Sequence, residues 1–541
     1  MRAARNVQVW AVALSIGAFG SLTATASAQG PAPASTAPAP QAAQQPVDRY
    51  IVGQARPPVE AGKQIRELTL EEAMIIALER NLGLQVAKMA PQGVDYQLQA
   101  ARASFVPNFT TSYSYSNNKS PSNDNLDGVS SITNVSQSYN GGMSQTLPWH
   151  GAQFNVNFQN SRSSTNRFTT RLNPGYNSSV RLGFNMPLLQ GFKIDGNRNQ
   201  LRTLQVQRQI SDIQLQTQIE NLKNNVRTSY WNLRSAIEQI EIQRRALEIA
   251  QRQFEDSKIR VEIGTLAPID TTNFETQVAN AEQQLLNAQI TWRTAELNFK
   301  TLLASGTDDE IYTQVINPAE QPQLSVQSVD IQSAVARALQ ERTDVMQARR
   351  QIESSRLSLE VSKNQTMPSL NFSTGYNLTG QGGREKVFQG GQVVDTLPGG
   401  YADALAAIAG FDSPAWNLGF NFSYPLGMRA AKANYARSQL GLEQSLAQLK
   451  AQELSISTEV INAGLAVENT YKQFQAAQKS REAAEKNADA QVTRFDVGMA
   501  TNFEVVTAQQ ALTQSRLSEL SALIRYMNAV AEFERVQKVG R

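Results

Sequence analysis

Between Leu201 and Ile263 the chain carries neither proline nor glycine. At 1.5 Å per residue a helix over that stretch is about 95 Å long, roughly three times the diameter of a small domain. Its apolar residues include Val226, Tyr230, Leu233 and Ile237 at steps of four, three and four, then Ile240, Leu247, Phe254 and Val261 at steps of seven. That spacing is a coiled-coil seam. Gln, Asn, Glu and Arg fill the other positions, so much of the helix surface is wet. Asp270 to Leu303 and Thr501 to Val539 read as similar helices running back. A globular core cannot contain such rods, so the chain must build something elongated.

The rods belong to a tandem repeat. Ala77 and Leu78 in "EAMIIALERNLGLQVAK" recur as Ala338 and Leu339 in "QSAVARALQERTDVMQAR", and Pro107 recurs as Pro368, all at an offset of 261. Gly264, Asp270 and Phe299 recur as Gly498, Glu504 and Phe533 at an offset of 234. The unequal offsets mean that the first copy holds extra residues between its two helical portions. Each copy runs helix, strands, long helix.

The strand zones show period-2 alternation. Phe154, Val156 and Phe158 share one face. So do Val180, Leu182, Phe184 and Met186, and likewise Trp416, Leu418, Phe420, Phe422 and Tyr424. Asn, Ser, Gly, Gln and Arg occupy the alternate positions. Stretches rich in Gly, Asn, Ser and Asp separate the strands around 117–134, 163–177 and 380–413. Alternation alone suits either a soluble sandwich or a transmembrane β-barrel, apolar toward lipid and polar toward a lumen.

Composition narrows the choice. The chain has no cysteine and one histidine, His150, in the turn-like "LPWHG". Disulfides, thiol chemistry and Cys/His metal sites are excluded, and no catalytic group, metal ligand set or cofactor is expected. The net charge of +3 shows no basic patch of the kind nucleic acid requires. The N-terminus reads as a signal peptide: basic "MRAARNVQ", apolar "VWAVALSIGAFG", then "ATASA" with cleavage after Ala28. "QGPAPASTAPAPQAAQQP" follows as a Pro/Ala/Gln linker. No later run is apolar enough for a membrane helix. Export without a membrane helix favours the barrel. One chain offers four to six strands, and an unpaired strand edge is untenable in lipid, so several chains must share one barrel.

Taken together, these features resemble the TolC-like outer membrane efflux proteins. The resemblance rests on the duplicated order, on "VPNF" and "MPSL" entering the strands, on "FNMPLLQG" and "FSYPLG" leaving them, and on the paired "RVEIGTLAPID" and "RFDVGMATNFE". It implies a mixed α and β fold: a trimeric transmembrane β-barrel continuous with a long periplasmic α-helical coiled-coil barrel, two repeats per chain. It implies a passive homotrimeric duct in the outer membrane of a Gram-negative-type bacterium. Such a duct receives drugs, metals or type I secretion substrates from a periplasmic adaptor and an inner-membrane pump. Family members use four strands per chain, twelve in the trimer. Residues 105–187 add a hairpin, which either enlarges the barrel to eighteen strands or packs outside twelve; family habit favours twelve.

The expected organisation is a signal peptide over 1–28 and a linker over 29–62. The first repeat follows, with N-terminal helices over 63–104, strands over 105–187 and long helices over 188–305. A linker over 306–330 leads to the second repeat, with helices over 331–366, strands over 367–426 and long helices over 427–541.

Gly264 and Gly498 fall at the far end of the tube, where glycine ends a helix in the left-handed conformation. Asp270 and Glu504 then sit near helix N-termini, a capping position. The resemblance adds a second role for them, as acidic rings at a periplasmic gate. It makes Gly264, Thr265, Leu266, Gly498, Met499 and Ala500 the expected adaptor contacts. The family pattern carries a tyrosine three residues before the second glycine and an arginine two after it. Phe495 and Ala500 stand there instead, and neither can make the corresponding polar latch. The competing readings are an envelope coiled-coil stalk, against which the strands speak, and an enzyme.

Overall fold

The proline- and glycine-free stretch folds as one unbroken helix. The computed structural model describes residues 54–58, 64–122, 128–321 and 329–537. The expected signal peptide and most of the 29–62 linker lie outside them. The first repeat comprises β1 (Ile65–Leu68), α1 (Leu70–Arg80), α2 (Leu82–Ala103), β2 (Asn108–Pro121), β3 (Ser131–Thr146), β4 (Gln153–Thr165), β5 (Leu172–Pro187), α3 (Gly196–Glu262) and α4 (Pro268–Leu303). After β6 (Val315–Pro318) the second repeat comprises α5 (Ile331–Glu341), α6 (Thr343–Asn364), β7 (Ser369–Gln389), β8 (Gln392–Leu397), α7 (Tyr401–Ala409), β9 (Pro414–Ser423), α8 (Arg429–Asp496) and α9 (Asn502–Gln537).

The two great helices have 67 and 68 residues, about 100 Å each. Asp195 starts α3 by accepting the Arg198 amide at 2.9 Å, which satisfies one orphan donor of the first turn. Burial along α3 is concentrated in its middle, at Val226, Tyr230, Leu233, Ile237 and Ile240. There β1 and β6 form a two-stranded parallel sheet against the helix. The buried Tyr230 hydroxyl donates to the Leu68 carbonyl at 3.1 Å and accepts the Glu320 amide at 3.0 Å. Burial pushes its pKa up to about 12, so it stays a donor. The second repeat buries its own apolar cluster, including Val345, Ile456, Val460, Tyr526 and Phe533.

The sheet separates apolar from polar side chains. Its strands are antiparallel neighbours in the order β2, β3, β4, β5, β7. The 21-residue β7 then pairs β9 along the half near the helices and β8 along the far half. The sheet is thus six strand positions wide. Cross-strand partners share a face, so rows can be followed across the whole sheet. Phe109, Met143, Val156, Leu182, Tyr376 and Trp416 form one row. Asn108, Ser144, Asn155, Gly183, Gly375 and Asn417 form a row on the opposite face. One face is therefore apolar and the other polar from edge to edge. Phe109 and Trp416, on the edge strands, are 73% and 77% exposed. Among the described residues β2 hydrogen-bonds only β3, and β9 only β7, so both edges are open.

Several boundaries differ from expectation. The additional hairpin of 105–187 does not pack outside the sheet. β2 pairs with β3 along its whole length without a register shift, and the two strands continue the same two faces. The strands run further than alternation suggested, β2 to Pro121 and β7 to Gln389, because backbone ladders continue past the apolar band where side-chain type no longer matters. The 306–330 linker contains the buried strand β6, and the 63–104 helical segment begins with β1. Within the 29–62 linker, the Ala55 amide donates to Glu238 Oε1 at 3.3 Å on α3. Each is a long-range pairing that no local pattern announces. Helix α7 lies inside the 367–426 segment, for which the sequence predicts strands.

Candidate functional site

At the ends of the hairpins both glycines close the helices in the same way. Gly264 and Gly498 have φ of 78° and 77°. The Gly264 amide donates to the Val261 carbonyl at 3.0 Å and the Thr265 amide to the Arg260 carbonyl at 2.8 Å. The Gly498 amide donates to Phe495 at 3.0 Å and the Met499 amide to Arg494 at 2.8 Å. This double bond pattern is the Schellman closure. A Cβ at either glycine would meet nothing within 4 Å, so the positive φ alone calls for glycine there.

The return helices begin differently in the two repeats. Pro268 opens α4 without a side-chain cap, its missing amide being one that the helix leaves unpaired anyway. Before α9, Thr501 and Glu504 form a capping box. The Thr501 amide and hydroxyl donate to Glu504 Oε2 at 2.7 and 2.9 Å, and Thr501 Oγ1 accepts the Glu504 amide at 3.4 Å. These bonds, backbone first and side chain second, hold the Glu504 pKa below its ordinary value.

The two acids are therefore not equivalent. Asp270 is half-buried and lines a cleft between the two hairpin tips, with Arg260, Asn273, Phe495, Asn502 and Phe503. Glu504 is exposed and tied to its own cap. Of the expected contacts, Thr265, Leu266, Gly498 and Ala500 also border the cleft, whereas Gly264 and Met499 face outward.

Sequence reasoning missed the residue that joins the tips. Arg260 Nη2 lies 3.0 Å from Asp496 Oδ1, and its guanidinium stands 4.7 Å from the centroid of the Phe495 ring. Phe495 thus takes part in a tip contact after all, by its ring face. The signal was present: Arg260 begins the quoted glycine motif. The tips also expose apolar side chains. Ile263, Ile269, Val497, Met499 and Phe503 are each about two-thirds exposed or more. Elsewhere, His150 sits in the β3–β4 turn at φ 56° and stacks on Phe192 at 4.1 Å. Among the described residues, no group of three or more acidic or imidazole side chains could hold a metal ion.

An open sheet with one apolar and one polar face, fused to helical hairpins of about 100 Å, defines a class: elongated mixed α and β proteins whose sheet turns one face to an apolar surrounding and the other to water. The chain belongs to the outer membrane efflux protein family, whose signature matches residues 75–305 and 334–536. It is an outer-membrane efflux channel that extends into the periplasm. No curated protein sequence matches it. Among solved structures, the CmeC outer membrane channel of Campylobacter jejuni shares 16% identity and aligns over 87% of this chain and 86% of that one, with a TM-score of 0.61. VceC of Vibrio cholerae shares 14% over 87% and 96%, at 0.59. The MtrE channel of Neisseria gonorrhoeae, solved in an open state, shares 17% over 92% and 97%, at 0.58. At these identities the likeness is one of fold.

Proposed function

We propose that three copies of the chain close one barrel and one helical tube. The assembly then serves as a passive duct between a periplasmic adaptor, with its inner-membrane pump, and the exterior. The observation that carries this reading is the two-faced sheet with open edges. Backbone groups unpaired in lipid cost several kcal/mol each, so β2 of one copy must meet the β8/β9 edge of the next. Six strand positions per chain and three chains give eighteen strands rather than twelve. Exposed apolar residues on the rods support the same association. Leu454, Ile461 and Leu465 on α8, and Leu286, Ile290 and Leu297 on α4, are 41–71% exposed at steps of seven and four, the seam spacing of a neighbouring helix.

At the tips, Asp270 and Glu504 repeat three times around the bore as acidic rings, and the Arg260 clamp holds the two hairpins of each copy together. The exposed apolar tips beside Gly264, Thr265, Leu266, Gly498, Met499 and Ala500 suit a protein partner, the adaptor. The carried substrate class, small molecule or protein, is left to the pump.

Mass measurement in detergent and conductance in a planar bilayer test the assembly. A trimer with stepwise conductance is expected; a monomer without conductance overturns it. Replacing Asp270 and Glu504 together by alanine should raise conductance or weaken block by multivalent cations. Unchanged conductance together with unchanged block refutes the acidic rings.

A further inference from the structure

Helix α7 lies on the apolar face of the sheet, at the end of the strands away from the long helices. Two glycines make its seat. A Cβ at Gly380 would collide with the Ala404 carbonyl, and one at Gly382 with the Gly400 carbonyl. Both glycines belong to the same face of β7 as Leu378 and Tyr376. Gly380 pairs with Ser178 of β5 one row beyond the Leu378–Val180 pair. On that face the apolar band therefore ends and a stripe of small and polar groups begins. Asn160 and Ser178 belong to the stripe, and both are buried, at 6% and 1% exposure. Helix α7 covers them. The Tyr401 hydroxyl donates to Asn160 Oδ1 at 2.8 Å, and Ala404 is fully buried against the sheet.

The outward side of this helix is apolar. Ala402, Leu405, Ala406, Ala409 and the following Phe411 are exposed. The one charged residue of the helix, Asp403, is also exposed, at the end of the helix; its carboxylate accepts the Gly400 amide at 2.7 Å and so caps the first turn. A helix that buries a polar stripe while presenting leucine, alanine and phenylalanine is unsuited to water. Its seat lies on β5 and β7, reaching β4 through Tyr401, so it is far from the chain's own β2 edge and one strand in from the β8/β9 edge, where β2 of a second copy would join.

We propose that α7 is a lipid-contacting helix clamped to the outside of the barrel. It extends the apolar band past the strand rows and rests in the acyl chains beneath the headgroups of the outer leaflet. The inference builds on the barrel reading above, but it can fail separately. A surface helix of this kind lies at the acyl boundary with its apolar side in lipid.

The cysteine-free chain allows single spin labels at Leu405, Ala409, Leu418 and Asn421, the last two on the apolar and polar faces of β9. The protein is reconstituted as the full assembly in phospholipid vesicles. Collision with oxygen, which concentrates in lipid, is compared with collision with a water-soluble nickel chelate. The expected result is oxygen-dominated accessibility at Leu405, Ala409 and Leu418, and nickel-dominated accessibility at Asn421. Nickel-dominated accessibility at Leu405 and Ala409, with Leu418 still in lipid, overturns the α7 assignment and leaves the barrel standing. Exclusion of both reagents from Leu405 and Ala409 also overturns it, since a protein surface then covers the helix. If Leu418 itself is open to nickel, the barrel reading fails and the inference falls with it.

Discussion

Replacing Arg260 by alanine should loosen the periplasmic tip without unfolding the protein. The ion pair with Asp496 is short at 3.0 Å, but its side chains are 34% and 58% exposed. Solvent screening limits such a pair to about 0.2–1 kcal/mol. The guanidinium over Phe495, at 4.7 Å, adds about 0.5–1 kcal/mol at a site this exposed. The clamp is thus worth about 1–2 kcal/mol per chain, which shifts a two-state closed-to-open ratio by roughly 5- to 30-fold. Spin labels at Thr265 and Met499 would report the separation of the two tips as a distance distribution, and single-channel recording would report open probability. Arg260→Ala should broaden and lengthen the distribution and raise open probability. Arg260→Lys should fall between, since it keeps the charge and loses the planar stacking. A double-mutant cycle with Asp496→Asn should return the ion-pair share alone. An unchanged distance distribution in Arg260→Ala would refute the clamp, because the loss would then be absorbed elsewhere. Salt gives a further check: the Asp496 share should weaken as ionic strength rises.

The other expectations concern turns and seats. Gly264→Ala and Gly498→Ala should each cost about 1 kcal/mol through the left-handed φ alone, with Asn milder, seen as faster amide exchange at the hairpin tip and normal exchange in mid-helix. The depressed pKa of Glu504 means that its capping stabilisation is complete above the ordinary carboxylate range and fades as pH falls through the depressed value. Thr501→Ala should move the Glu504 titration midpoint up toward the ordinary value, as followed by carboxyl-carbon NMR of a labelled sample. Gly380→Ala should unseat α7, because the added methyl meets the Ala404 carbonyl. A spin label at Leu405 should then gain mobility, while one at Leu418 should not.

Much of this protein was legible in the linear chain because its signals are local. Period-2 alternation placed Phe154, Val156, Phe158, Val180, Leu182, Phe184, Trp416, Leu418 and Phe420 on one face, and the register unites them there. The absence of proline and glycine fixed the rods, and the paired glycine motifs fixed where they turn, since only a residue tolerant of positive φ closes a helix that way. That Glu504 stands near a helix N-terminus was readable from the glycine before it; its reciprocal bonds with Thr501 came from the structure.

What only the tertiary structure decided is non-local. Arg260 and Asp496 are 236 residues apart, and no composition rule brings them together. The additional hairpin could have lain in the sheet or outside it, since alternation sets which face a side chain takes but not which strand lies beside it. The place of α7 rested on glycines whose purpose appears only once a helix is laid over them. Local periodicity fixes the kind of element and its faces; pairing, docking and the contacts between tips depend on which distant surfaces fit, and that is settled by packing in three dimensions.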